Sequence, residues 1–164
     1  MEGATATKPA TDAATGSKTL ADLFPAAVAK HGPNKAVIYK QGSEWVSKTY
    51  DEVGEIVRNL ALGLMDLGIE KGDKVALLSN TRPEWTYFDF AALSIGATVV
   101  PIYQTNSADE CQYVLENSDS VAVVVEDDEQ LDKIRRIRDR VPMLEHVIRM
   151  TGESGDAISL AQLA

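Results

Sequence analysis

The chain has 164 residues, of which 45% are hydrophobic and 25% charged, a composition that suits one globular domain with a real core. Its formal net charge is −9. Nucleic-acid binding needs a basic face that neutralises phosphates, so this charge argues against a nucleic-acid partner.

The first 17 residues are poor in large apolar side chains and rich in Ala, Thr, Gly and Pro, which predicts a disordered tail over residues 1–17. They have neither the apolar centre of a signal peptide nor the arginines of a transit peptide. The apolar run from Glu84 to Ile95 is about a dozen residues long, whereas a membrane span needs about 20. The sequence therefore predicts a soluble, cytoplasmic protein; peripheral membrane contact and oligomeric state are left open.

The next segment predicts a helix and a small β-hairpin. The helical pattern after the tail ends near Gly32 and Pro33. Two β-rich stretches then flank Gln41, Gly42 and Ser43, residues typical of a tight turn.

A repeated capping pattern predicts the helices that follow. Ser or Thr stands three residues before Glu or Gln, so that each side chain can bond a free backbone N–H of the first turn. The predicted capping boxes are Thr49–Glu52, Thr81–Glu84, Ser107–Glu110 and Ser159–Gln162. The second helix carries apolar residues at amphipathic spacing and stops at Gly68. Around the third helix, apolar residues surround the axis, which predicts burial on more than one side.

Short apolar strands alternate with these helices: "DKVALLS", "ATVVPIY", "SVAVVVED" and "EHVIRM". Strand and helix alternating at this spacing indicate right-handed βαβ units. The sequence thus predicts an α/β fold, a parallel sheet with flanking helices, preceded by the small hairpin. The chain stops about two residues after Gln162, so we interpret residues 18–164 as the incomplete first part of a larger domain.

Familiar catalytic motifs are missing from the sequence. No Gly-rich phosphate loop, no HExxH and no GxSxG is present, and His31 and His146 lie far apart. The single cysteine, Cys111, excludes an internal disulfide and fits a reducing compartment. It lies in phase with apolar residues of a helix, so we interpret it as a small core residue rather than a nucleophile.

One acidic cluster permits two interpretations. Glu126, Asp127 and Asp128 follow a buried strand and precede a helix, as in a receiver domain that holds Mg²⁺. Too little chain follows Asp128 to supply the remaining receiver residues. The preferred interpretation is that Asp127 and Asp128 cap the next helix and interact with its dipole.

Two stretches, "KTYDEVGEIVRNLALGL" and "ALSIGATVVPIYQTNSADECQYVLENSDSVAVVVED", resemble conserved segments of adenylate-forming (AMP-binding) enzymes. "LSNTRPEW" together with "VPIY" resembles the bacterial long-chain acyl-CoA synthetases in particular. The resemblance extends from Lys18 to Ala164. It implies the N-terminal part of the AMP-binding large domain, truncated at its C-terminal end.

The resemblance implies an ATP-dependent fatty acid–CoA ligase that forms an acyl-adenylate. The full-length enzyme would use ATP, Mg²⁺ and CoA, with a fatty acid as substrate. The family's catalytic motifs lie beyond residue 164, so no catalytic, cofactor-binding or metal residue is assigned to this chain. Tyr50, Trp85 and Pro101 are interpreted as scaffold: a first-turn residue, a packing residue and a strand-edge residue. We expect the segment alone to be inactive and to bind none of the cofactors.

Two alternatives remain at this point. One is a non-catalytic doubly wound module that binds or signals, receiver-like at Asp127 and Asp128. The other is an interaction domain that keeps the first half of the ligase fold without its activity.

Overall fold

The structure is a computed structural model that describes residues 17–163. Its helices are α1 (Leu20–His31), α2 (Tyr50–Asp66), α3 (Pro83–Ser94), α4 (Ala108–Ser118), α5 (Asp128–Ile137) and α6 (Leu160–Leu163). Its strands are β1 (Lys35–Gln41), β2 (Glu44–Thr49), β3 (Lys74–Leu78), β4 (Thr98–Ile102), β5 (Ser120–Val125), β6 (His146–Arg149) and β7 (Ile158–Ser159). A 3₁₀ turn, Arg138–Arg140, follows α5. Apart from Ser17, the predicted disordered tail lies outside the described residues.

The predicted hairpin is confirmed. Strands β1 and β2 pair antiparallel, with Gln41 opposite Glu44. Gly42 occupies the turn at a φ of 64°, in the left-handed region where glycine has no steric cost.

The parallel sheet is also confirmed. Its strand order is β4-β3-β5-β6-β7, and every neighbouring pair is parallel. The short strand β7 was not predicted, because a strand of two residues is too short to show an alternation of apolar and polar side chains. Pro101 lies in β4, which is an edge strand, so its missing N–H costs no hydrogen bond to a further strand.

Helices cover both faces of the sheet. Alternate residues of β3 divide between two cores: Val75 and Leu77 pack with α1, α2 and α3, while Ala76 and Leu78 pack with α4 and α5. Helix α3 lies between the sheet and the helices α1 and α2, and it buries residues on more than one side, as predicted. None of the helices described between residues 17 and 163 is long and apolar enough to span a bilayer.

Cys111 is fully buried in the second of these cores, beside Leu115. Burial raises the pKa of its thiol, which disfavours the reactive thiolate. The interpretation of Cys111 as a core residue is confirmed.

Three of the four predicted capping boxes form: Thr49–Glu52, Ser107–Glu110 and Ser159–Gln162. The Thr81–Glu84 box is wrong. Helix α3 begins at Pro83 with Arg82 as its N-cap, so Glu84 lies one position too early to reach back to Thr81. Glu84 instead accepts a charge-assisted hydrogen bond from Arg82 Nε at 2.7 Å.

Helix α6 packs against α2 at Gly63, where only a glycine fits. A Cβ at Gly63 would overlap the carbonyl oxygen of Leu163 and lie 2.8 Å from its Cγ. The backbones of the two helices therefore approach closely, and the contact depends on the missing side chain.

Replacing Gly63 by Ala is expected to detach α6 from α2. The amide of Gln162, which donates to Ser159 Oγ, should lose protection in hydrogen exchange, although Ala by itself favours the α2 helix by about 1 kcal/mol. Gly155→Ala is the matched control, because nothing lies within 4 Å of the Cβ it adds. Equal protection of Gln162 in the two variants would contradict the expected clash.

Candidate functional site

The carboxyl ends of the parallel strands form the edge where this fold can bind a ligand. The connection after β3 runs to α3 on one face of the sheet, whereas those after β4 and β5 run to α4 and α5 on the other. Neighbouring connections that leave in opposite directions open a crevice above the strand ends. The candidate site therefore lies around the end of β3.

A cleft of about 610 Å³ occupies this position, between the ends of β3 and β4. Ser79, Asn80 and Thr81 line it from the β3 side, and Trp85 from α3. Residues 101–104, at the end of β4 and in the loop beyond, form the opposite wall. The cleft combines an aromatic ring with neutral hydrogen-bonding groups, which suits binding and orientation rather than proton transfer.

Trp85 packs against the core as predicted, but it is only half-buried, because one side borders the cleft. An all-round apolar helix need not be covered at its first turn, where the cleft leaves α3 open.

The loop after β4 is held by the neighbouring helix. Lys133 of α5 donates a hydrogen bond to the backbone carbonyl of Gln104 at 2.5 Å. Tyr103, next to it, is 78% exposed, the highest exposure among the large hydrophobic residues described. The wall of the cleft on this side has a fixed backbone and an exposed aromatic side chain.

Glu126 joins the ends of β3 and β5. Its Oε2 accepts hydrogen bonds from the backbone N–H of Asn80 at 2.7 Å, from Asn80 Nδ2 at 3.0 Å and from Ser79 Oγ at 3.2 Å. Its Oε1 lies 3.4 Å from Arg82 Nη1. A single carboxylate thus fixes the whole β3–α3 connection that lines the cleft.

The electrostatics around Glu126 and Arg82 favour the charged form of both side chains. Burial alone raises the pKa of Glu126, but the hydrogen bonds from Asn80 and the charge of Arg82 outweigh it and hold the pKa below its usual value. The hydrogen bond to Glu84 raises the pKa of Arg82. Glu126 is therefore a carboxylate that orders the loop.

The acidic cluster that resembled a receiver site is divided among separate partners. Asp127 caps α5 and accepts from the backbone N–H of Gln130 at 3.1 Å, which confirms the capping interpretation for Asp127, whereas Asp128 is the first residue of the helix and not its cap. Asp128 forms an ion pair of 2.8 Å with Arg149. With Glu126 bound to Asn80, the three carboxylates do not converge. Among residues 17–163, no group of three or more His, Cys, Asp or Glu side chains is placed to hold a metal ion.

The cleft residues do not fit a nucleoside triphosphate with its magnesium. Of the residues described as lining it, none is a lysine or an arginine. Arg82, which follows β3, is already ion-paired with Glu84 and Glu126. Phosphoryl and adenylyl chemistry needs cations and donors that are free to meet phosphate oxygens. We therefore derive no chemical step from this chain alone.

No feature of the sequence marks Asn80 or Glu126 as partners. They are 46 residues apart, and the two quoted stretches that contain them, "LSNTRPEW" and "SVAVVVED", give no sign that the two side chains touch. The signal that could have placed them together is topological, since both follow strands that become neighbours in the sheet.

The comparisons with known proteins give a consistent picture. The family described as AMP-binding enzyme matches residues 24–162. A long-chain-fatty-acid–CoA ligase of Mycobacterium bovis, FadD15, is 37% identical over 124 residues, which is 74% of this chain and 21% of the relative. The ligase ACSBG2 of Xenopus laevis is 36% identical over 135 residues, or 82% of this chain and 18% of the relative.

Solved structures agree with these sequence matches. The crystal structure of a long-chain-fatty-acid–CoA ligase, FadD1, from Archaeoglobus fulgidus superposes with a TM-score of 0.78 and 26% identity. The match covers 88% of this chain and 29% of that structure. The chain thus spans about a fifth of the length of the curated relatives that it matches.

Replacing Glu126 by Gln is expected to lower the free energy of unfolding by about 1–3 kcal/mol at neutral pH, because hydrogen bonds to a charged acceptor are lost. Since folding lowers the pKa of Glu126, its stabilisation is complete above the pKa of the unfolded chain, about 4.3, and is lost as the pH falls through the folded value. Denaturant unfolding of both proteins across this range measures the difference. Glu129→Gln, at an exposed position of α5, is the matched control and should change little. A gap between wild type and E126Q that stays constant with pH would contradict the assignment.

Trp85→Ala is expected to cost about 1–2 kcal/mol of unfolding free energy, since only part of the side chain is buried. Phe88→Ala, three residues along the same helix and fully buried, should cost about 3–5 kcal/mol. Equilibrium denaturation of the pair tests the order. An equal loss in both variants would mean that the indole is enclosed and does not border an open cleft.

Proposed function

The chain belongs to the AMP-binding enzyme family, and on that premise we propose that it forms the N-terminal part of an ATP-dependent long-chain fatty acid–CoA ligase. Such an enzyme joins a fatty acid to AMP from ATP, releasing pyrophosphate, and then transfers the acyl group to coenzyme A. ATP, Mg²⁺ and CoA would be its cofactors, and the fatty acid its substrate.

The observation that carries the proposal is the match of 124 residues at 37% identity to a ligase with that stated activity. It extends over most of the described fold, including the strands and helices that build the cleft. The half-buried indole of Trp85 and the neutral side chains beside it agree with a wall that contacts a mainly apolar substrate.

Within the whole enzyme, residues 18–164 would form the beginning of the large AMP-binding domain. Their contribution is structural: Glu126 and Asn80 hold the connection after β3, and the sheet offers its carboxyl edge to the rest of the domain. The groups that bind phosphates and magnesium would come from the remainder of the enzyme. A cytoplasmic location suits the lone buried cysteine and the absence of disulfides from the described residues.

A chimaera tests this proposal. The stretch of the Mycobacterium bovis ligase that matches this chain over 124 residues is replaced by the residues of this chain that align with it, and pyrophosphate release is measured with a long-chain fatty acid, ATP, Mg²⁺ and CoA. We expect turnover in the chimaera, because the segment supplies an equivalent scaffold. The same ligase with the stretch deleted is the control and should be inactive.

The isolated chain provides the complementary measurement. Calorimetry with Mg-ATP should give no binding heat, and pyrophosphate release should equal that of a boiled sample. Micromolar ATP binding or turnover by the chain alone would contradict the structural role. A chimaera that folds as the parent does but stays inactive would contradict the assignment to this ligase class.

A further inference from the structure

The outer face of the β1–β2 hairpin exposes two large apolar side chains. Ile38 is 60% exposed and Trp45 is 68% exposed. The register places Lys40 opposite Trp45 and Ile38 opposite Ser47, so these four residues share one face. We call this set the hairpin outer face. Isolated apolar residues on a surface are ordinary, but here an indole and a branched aliphatic side chain lie on the same small sheet.

The opposite face of the hairpin fixes its position. Val37, Tyr39 and Val46 alternate with the outer residues and are half-buried, and both strands contact α2. Val37 packs against the larger core. The hairpin outer face is therefore presented outward by a supported sheet.

The hairpin also has a charge opposite to that of the chain. Residues 35–49 contain three lysines, Lys35, Lys40 and Lys48, against one glutamate, Glu44, a formal charge of +2 in a chain of −9. The Nζ of Lys40 lies 5.4 Å from the ring centroid of Trp45. Cation and indole thus stand side by side at the surface.

We propose that the hairpin outer face binds an anionic lipid bilayer. Trp45 and Ile38 enter the interfacial region, where an indole is favoured because one end is apolar and the other can meet water. Lys40, on the same face as Trp45, meets the negative headgroups, and its long stem lets the ammonium group reach upward to them, whereas Lys48 lies opposite Val37 on the other face of the hairpin. This proposal does not depend on the proposed ligase function.

A bilayer suits the surface better than nucleic acid does. An extended polyanion would follow a basic groove, whereas this patch is the face of a single hairpin whose exposed large side chains are aliphatic and aromatic. A bilayer needs only one facet, and the acidic remainder of the chain can face away from it. In the bilayer the exposed side chains of Ile38 and Trp45 leave water for an apolar environment.

Cosedimentation of the 164-residue chain with vesicles tests the proposal. We expect binding to vesicles of phosphatidylcholine mixed with phosphatidylglycerol, weaker binding to phosphatidylcholine alone, and a decline with added salt. Trp45→Ser should reduce the partition constant at least about tenfold. Lys40→Gln should reduce it about fivefold.

Matched controls distinguish vesicle binding by the hairpin from nonspecific binding by other surfaces of the chain. Tyr113, on α4, is 68% exposed like Trp45, so Tyr113→Ser removes an equally exposed aromatic residue from another surface. Lys71→Gln removes an exposed lysine outside the hairpin. Both variants should bind vesicles as the wild type does. Circular dichroism and the thermal midpoint establish that each variant is folded.

The depth to which Trp45 enters the bilayer is measured in a Trp85→Phe variant, in which Trp45 is the remaining tryptophan. Lipids brominated on the acyl chain should quench Trp45 fluorescence in anionic vesicles. No vesicle binding, binding that Trp45→Ser leaves unchanged, or binding without quenching would each overturn the proposal. Dimers of the chain or complexes with single-stranded DNA that Trp45→Ser abolishes, without any lipid binding, would assign the face to another partner and overturn it equally.

Discussion

The fold depends on burying both faces of β3. Val75 and Leu77 point into one core, Ala76 and Leu78 into the other, and all four are fully buried. A strand without a solvent face needs a neighbour on each side and helices above and below. This requirement explains why β4 and β5 lie on opposite sides of β3, and why the connection after β3 leaves for one face of the sheet and those after β4 and β5 for the other. The cleft at the strand ends is a by-product of that divergence.

Local signals in the sequence predict most of the fold because each element depends on neighbours within one turn. The capping boxes at Thr49 and Ser107 form as expected, since their partners stand three residues away. The continuous apolar run of β5 correctly indicates a strand buried in a parallel sheet. The same reasoning fails at Thr81, because α3 begins one residue later than the box requires and Glu84 accepts a hydrogen bond from Arg82 instead.

The candidate site could not be predicted in this way. Glu126 looks like part of an acidic cluster when only its neighbours in sequence are considered, yet its main partner, Asn80, lies 46 residues earlier. Trp85 is likewise half-buried because it borders the cleft at the ends of β3 and β4. The spacing of apolar residues along α3 gives no sign of that cleft. Such residues become visible only after the strand order is known. The family could be inferred from the sequence because the resemblance extends over many motifs along the chain. A site depends on contacts between residues that are far apart in the sequence.

The position of β3 has a consequence for how the protein is made. It is both the first strand of the sheet along the chain and the strand between β4 and β5. When synthesis proceeds from the N-terminus, β4 finds β3 already present, β5 finds the free side of β3, and β6 and β7 add to the strand made just before them. After β3, no strand waits for a partner that the ribosome has yet to release. The sheet can therefore assemble in the order of translation, starting from β3.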